Sequence, residues 1–131
     1  MIYNLYQYLI TQLPVMNLIV DGYEQSDNKD GAILLKATGG DPMHWFVRTD
    51  FTVQIISSAK SKVSCKQNID IVYNELKNRF GLILPEATVG SVTYPEIIAA
   101  QISPIQSPGY IGTDEDVNHL YTVNFKITVG G

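Results

Sequence analysis

The chain has 131 residues, 45% of them hydrophobic and 17% charged, with a formal net charge of −4. That length is one domain, and a domain of this size buries about two-thirds of its unfolded surface without a disulfide or metal staple. The acidic balance argues against a general nucleic-acid binder, whose face would be basic, and the single Cys65 rules out an intramolecular disulfide and a thiolate zinc site.

The first residues, Met1 to Leu13, hold no Lys or Arg and are broken by Gln7, Thr11 and Gln12, so no signal peptide is expected. No apolar run approaches the roughly 18 residues of a membrane span. Ile2, Leu5, Tyr6, Leu9 and Leu13 recur at steps of three and four, which predicts an amphipathic helix over about residues 2–12, ended by Pro14. Asn17 to Asp21 reads as a short strand. The acid-rich stretch from Tyr23 to Gly31 reads as a turn region, and Ala32 to Thr38 as a second strand broken by Gly39-Gly40-Asp41-Pro42.

Alternation is cleanest from Trp45 to Ile56, where Trp45, Val47, Phe51, Val53 and Ile55 share one face of a third strand. Cys65, Ile69, Val72, Leu76 and Phe80 then form a helical stripe, so a second helix is expected over about residues 60–80, with Gly81 at its C-terminal cap. Cys65 on that stripe reads as a small buried hydrophobe. Leu82 to Tyr94 reads as a loop with short extended pieces, Glu96 to Ser103 as a strand, and 104–118 as turns. His119 to Val129 alternates as a final strand. The order of elements predicts one α+β domain over 1–131, a mainly antiparallel or mixed sheet with two amphipathic helices packed on it. The predicted core is Leu5, Leu9, Phe51, Val53, Ile55, Ile69, Val72, Leu76, Tyr121, Val123, Phe125 and Ile127.

No chemical constellation is complete. The glycines at 39 and 40 are followed by neither a Lys-Ser/Thr pair nor a helix, so no phosphate loop forms. Asp114-Glu115-Asp116-Val117-Asn118 opens like a calcium loop, but the turn glycine is replaced by His119 and the closing glutamate by Phe125. His44 and His119 sit at strand edges with no nucleophile elbow in the sequence. The expectation is therefore no catalytic residue, no cofactor and no metal. The charges are more informative. Lys60, Lys62, Lys66, Lys77 and Arg79 cluster on or near the second helix, where only Asp70 and Glu75 oppose them. They form either a solvated helix face, a patch that meets the acidic part of an identical neighbour, or a phosphate-binding face. The oligomer or partner interface is assigned to Lys60, Lys62, Lys66, Asp114, Glu115 and Asp116.

From about residue 45 to 129 the chain resembles the tail-terminator, or minor capsid, proteins of long-tailed bacteriophages. The resemblance is carried by the strand Phe51 to Ile56 and by a helix holding Ile69, Tyr73, Leu76 and Phe80. A strand with Ile102 and Pro104 follows, then the loop Pro108-Gly109-Tyr110-Ile111-Gly112-Thr113-Asp114-Glu115, and a closing strand with Tyr121, Val123, Asn124 and Phe125. Thr113 and Val117-Asn118 stand where the family often has a basic residue and Gly-Arg. The resemblance implies a homo-oligomeric ring, commonly a hexamer. Such a ring caps the tail tube, meets head-completion proteins at the head–tail interface of the virion, and lets DNA through its lumen without specific binding. It implies assembly in the host cytoplasm and no membrane contact. The competing expectations are a small soluble α+β enzyme or ligand-binding domain with an unrecognised site, and a regulatory or toxin-like partner-binding domain.

Overall fold

The computed structural model describes residues 1–20, 31–40 and 49–129. Helix α1 (Ile2–Gln12) is followed by β1 (Asn17–Val20), β2 (Ala32–Gly40) and β3 (Thr49–Ala59). Helix α2 (Lys62–Leu76) leads into β4 (Arg79–Leu84), β5 (Ala87–Val89), β6 (Val92–Tyr94), β7 (Ile97–Pro104), β8 (Gly109–Thr113) and β9 (His119–Val129). The main sheet runs β1-β2-β3-β9-β7-β4, with β8 also on β9, and β5-β6 form a separate hairpin. It is mixed, because β1 is parallel to β2 while the other pairs are antiparallel. The α+β expectation is met.

The two clean alternations become the central pair. β3 and β9 are in unbroken antiparallel register from Thr49↔Val129 to Ala59↔His119. Val53, Ile55, Val123, Phe125 and Ile127 from one face join Leu5 and Leu9 of α1 and Ile69, Val72 and Leu76 of α2 in a single core. Both helices therefore cover the same face. Ten of the twelve predicted core residues are fully buried, while Phe51 and Tyr121 are partly covered. The core also takes Ile33, Leu35, Leu84 and Ile102, from strands with weaker alternation.

Helix α2 ends four residues earlier than the stripe suggested. Ser61 caps its start by accepting the Ser64 N–H at 3.3 Å. At its end Lys77 is already extended and Asn78 takes a positive φ of 55°. Asparagine tolerates that region better than most residues, so the chain reverses there. Phe80 thus lies on β4 and is 71% exposed, although its spacing matched the buried stripe. Gly81 is no helix cap. It sits inside β4 at φ 63°, a conformation that costs glycine little.

Other boundaries differ for similar local reasons. β2 continues through Gly39 and Gly40 because a bulge between Ala37 and Gly39 absorbs the irregularity that was expected to end it. The loop expected over 82–94 contains the second half of β4 and the β5–β6 hairpin, which turns through Gly90 at φ 62°. The expected turn region 104–118 contains β8. Residues Asp21 and 45–48 of two predicted strands, residues 23–30 of the acid-rich turn region, and His44 lie outside the described residues.

Candidate functional site

The last hairpin has an unusual build. β7 pairs with the second half of β9, from Pro104↔Phe125 to Ala99↔Val129, and β8 pairs with its first half, from Thr113↔His119 to Gly109↔Thr122. Both lie along the edge of β9 away from β3, so β7 and β8 form one rail. Between them Ile105 to Pro108 stand opposite only Val123 and Asn124, and Ile105 N–H still reaches Asn124 O at 2.8 Å. Pro104 and Pro108, which lack an N–H, fall at the two ends of this excursion. Among the described residues β8 pairs with no strand but β9, so its other edge is unpaired.

The turn from β8 to β9 is held by one carboxylate. Asp114 Oδ1 accepts the N–H groups of Asp116 and Asn118, each at 2.9 Å, and Asn118 Nδ2 donates to Oδ2 at 3.3 Å. The backbone adds Asp114 N–H to Asn118 O and Val117 N–H to Asp114 O. Asp114 is thus the clamp of the turn, while Glu115 and Asp116 are exposed. Its oxygens receive donors rather than converge on a cation. Among the described residues no group of three or more His, Cys, Asp or Glu is placed to hold a metal.

The lysines behave differently from one another. Lys66 makes a two-point ion pair with Asp70 one turn along α2, both oxygens at 2.6 Å. Both side chains are substantially exposed, so the pair contributes at most about 0.5 kcal/mol. Lys62 lies over the Tyr110 ring, 4.1 Å from its centre. Lys60 is exposed. Tyr110 is the register partner of Tyr121, and its hydroxyl meets His119 Nδ1 at 2.9 Å. Cys65 Sγ reaches His119 O at 3.2 Å from the buried side of α2, as its place on the apolar stripe predicted. The start of α2 therefore packs beside β8 and the start of β9. Lys62 thus lies against the same β8–β9 hairpin whose turn holds Asp114, Glu115 and Asp116.

Sequence reasoning missed a second feature. A cavity of about 420 Å³ opens between α1, β1 and β5, lined by Tyr3, Tyr6, Gln7, Thr88 and the whole of β1. Its frame is Asn4, fully buried, whose Nδ2 lies within hydrogen-bond distance of Pro85 O (3.0 Å), Tyr94 O (3.2 Å) and Pro95 O (2.9 Å). Asn4 ties the foot of the β5–β6 hairpin to α1. A polar residue among the apolar residues at the start of α1 was the available signal. Its partners lie more than 80 residues away in sequence, so no local pattern could name them.

No protein-family model matches the chain, and no match to a curated protein reaches significance. Among the described residues no helix is long and apolar enough to cross a membrane.

Proposed function

We propose that this chain is a virion structural protein that assembles into a ring and joins tail to head, capping the tail tube and meeting head-completion proteins. The observation that carries the reading is the β7–β8 rail on β9, which ends in a free strand edge with Ile111 more than half exposed. Monomeric proteins usually blunt such an edge with charge or cover it, because it templates pairing with another chain. Here no charged residue occurs between 105 and 113. Phe80, Ile83 and Ile98 add exposed apolar surface on the β4–β7 end of the sheet.

The order of elements that carries the phage resemblance also supports the reading: β3, α2, β7, the Pro108–Thr113 segment and β9 follow one another as that resemblance requires. Each copy carries −4, so a ring of copies is acidic as a whole. Phosphate then passes without the counterion release that drives binding. On this account the chemistry is interface complementarity, with neither cofactor nor catalysis, and the protein works at the head–tail junction after assembly in the host cytoplasm. Negative-stain images of the purified protein test the reading: annular particles with an open centre are expected, and a field of single small particles at every concentration would refute it.

One observation favours a second reading, a small ligand-binding domain. The cavity of about 420 Å³ falls in the size range of small-molecule sites, roughly 300–1,000 Å³. That reading requires a monomer whose β1 and β5 amides shift with a soluble ligand.

A further inference from the structure

Two strand edges face one slot. The cavity is lined by all four residues of β1 and all three of β5, with Tyr3, Tyr6 and Gln7 of α1 completing it. Among the described residues nothing from β2 or β6 lines it. It therefore lies on the side of β1 away from β2 and on the side of β5 away from β6. Among the described residues β1 pairs only with β2 and β5 only with β6, so each keeps one edge without a strand partner. Among the described residues the lining has no Asp, Glu, Lys, Arg or His. Strand edges for walls and an uncharged, tyrosine-bearing lining suit an extended polypeptide. Its backbone serves the edges and its side chains fill the space between the rings.

We propose that this slot receives β8 of a second copy of the chain, laid along β1. The inference rests on the ring reading and names its interface. β8 is already extended, and its edge away from β9 is unpaired among the described residues. Its five residues match the four of β1 in length. Segment 105–113 carries no charged residue of its own, and neither does the described lining of the slot, while Lys62 of α2 lies over the ring of Tyr110. Within one copy β9, β3 and β2 stand between β8 and β1, so the two edges are offered to different neighbours. The contact is heterologous, the kind that closes into a ring. The band β8-β9-β3-β2-β1 of one copy then hands on to β8 of the next.

The test uses one charge on each edge. Ile111→Lys alters β8 and Asn17→Lys alters β1, both at exposed positions, so an unchanged unfolding midpoint is expected. Each variant alone should assemble at least about tenfold more weakly. Mixed together they should form a dimer that stops there, because the intact β8 of the Asn17→Lys chain still meets the intact β1 of the Ile111→Lys chain. Rings in both variants, or a mixture that stays monomeric, would overturn the inference. Rings in both would leave the ring reading standing, whereas a wild-type chain that is always monomeric removes the ring reading itself. A synthetic peptide of residues 105–113, added to the Ile111→Lys variant, probes the slot apart from the ring. Shifts of the Asn17–Val20 and Ala87–Val89 amides support the slot, and their absence overturns it.

Discussion

Tyr8 on α1 donates its phenolic proton to Glu75 Oε2 on α2 at 2.8 Å, and Arg79 Nη1 meets the same oxygen at 3.1 Å. The two helices that cover the sheet are thus joined to each other and to the start of β4 through one carboxylate. Burial of the phenol, and then the neighbouring Glu75, push the Tyr8 pKa above its ordinary value of 10.0. A raised pKa means that the folded state holds the proton more tightly. The contribution is complete below pH 10 and is lost as pH rises through the folded value. Stability should fall in that alkaline range, and Tyr8→Phe should flatten this part of the profile while costing about 1 kcal/mol at neutral pH. Urea titrations at neutral and alkaline pH measure both.

Asn4→Ala should detach the β5–β6 hairpin. It leaves the carbonyls of Pro85, Tyr94 and Pro95 without the amide that reaches them, at a cost of about 1–3 kcal/mol. Asn4→Asp should be worse, because a carboxylate faces the same carbonyl oxygens. Amide exchange should accelerate in Ala87–Tyr94 more than in β3 and β9. Equal acceleration throughout would show that Asn4 acts on global stability and not as a latch.

Val117 takes a φ of 61° and is 70% exposed. A β-branched residue in the left-handed region is strained by about 1–2 kcal/mol, and Asp114 holds it there by clamping the residues on either side. Val117→Gly should raise stability by roughly 0.5–1 kcal/mol after the entropic cost of glycine. Asp114→Ala should lower it by about 1–2 kcal/mol. Thermal unfolding of the two variants checks the opposite signs.

Leu76 and Phe80 separate the true helix from the sequence stripe. Leu76 is fully buried and Phe80 largely exposed, so Leu76→Ala should cost about 2–5 kcal/mol and Phe80→Ser within about 0.5 kcal/mol. Comparable losses at the two positions would mean that α2 continues past Leu76.

Duplex DNA should not bind measurably at physiological salt, because the path through a ring of acidic copies offers phosphate no net attraction. Fluorescence anisotropy with a labelled duplex measures this. Micromolar binding that disappears when Lys60, Lys62 and Lys66 become Glu would contradict it.

Strong periodicity carried the fold. β3, β9 and the buried stripe of α2 are each periodic over ten residues or more, and tertiary packing had only to confirm them. The alternation in β9 names Val123, Phe125 and Ile127, and all three are buried. Several failures occur where the backbone departs from regular geometry: Asn78 ends α2, Gly81 lies within a strand, and the Ala37/Gly39 bulge lets β2 run on. β8 was hidden because Pro108, Gly109 and Gly112 read as turn formers, yet β9 supplies a ladder that recruits them. For the candidate site, the charged residues were visible and their surroundings were not. Lys62 packing on Tyr110, Lys66 pairing with Asp70 and Asp114 closing its own turn are contacts of the folded chain. The slot beside β1 depends on which strand edges stay unpaired, and that is fixed only by sheet order.

The most direct test of the ring account is the native mass of the purified protein across a wide concentration range. The account predicts one dominant closed species, an integer multiple of the 14.6 kDa chain, with no ladder of larger open forms. A mass that stays at one chain at every concentration would contradict it.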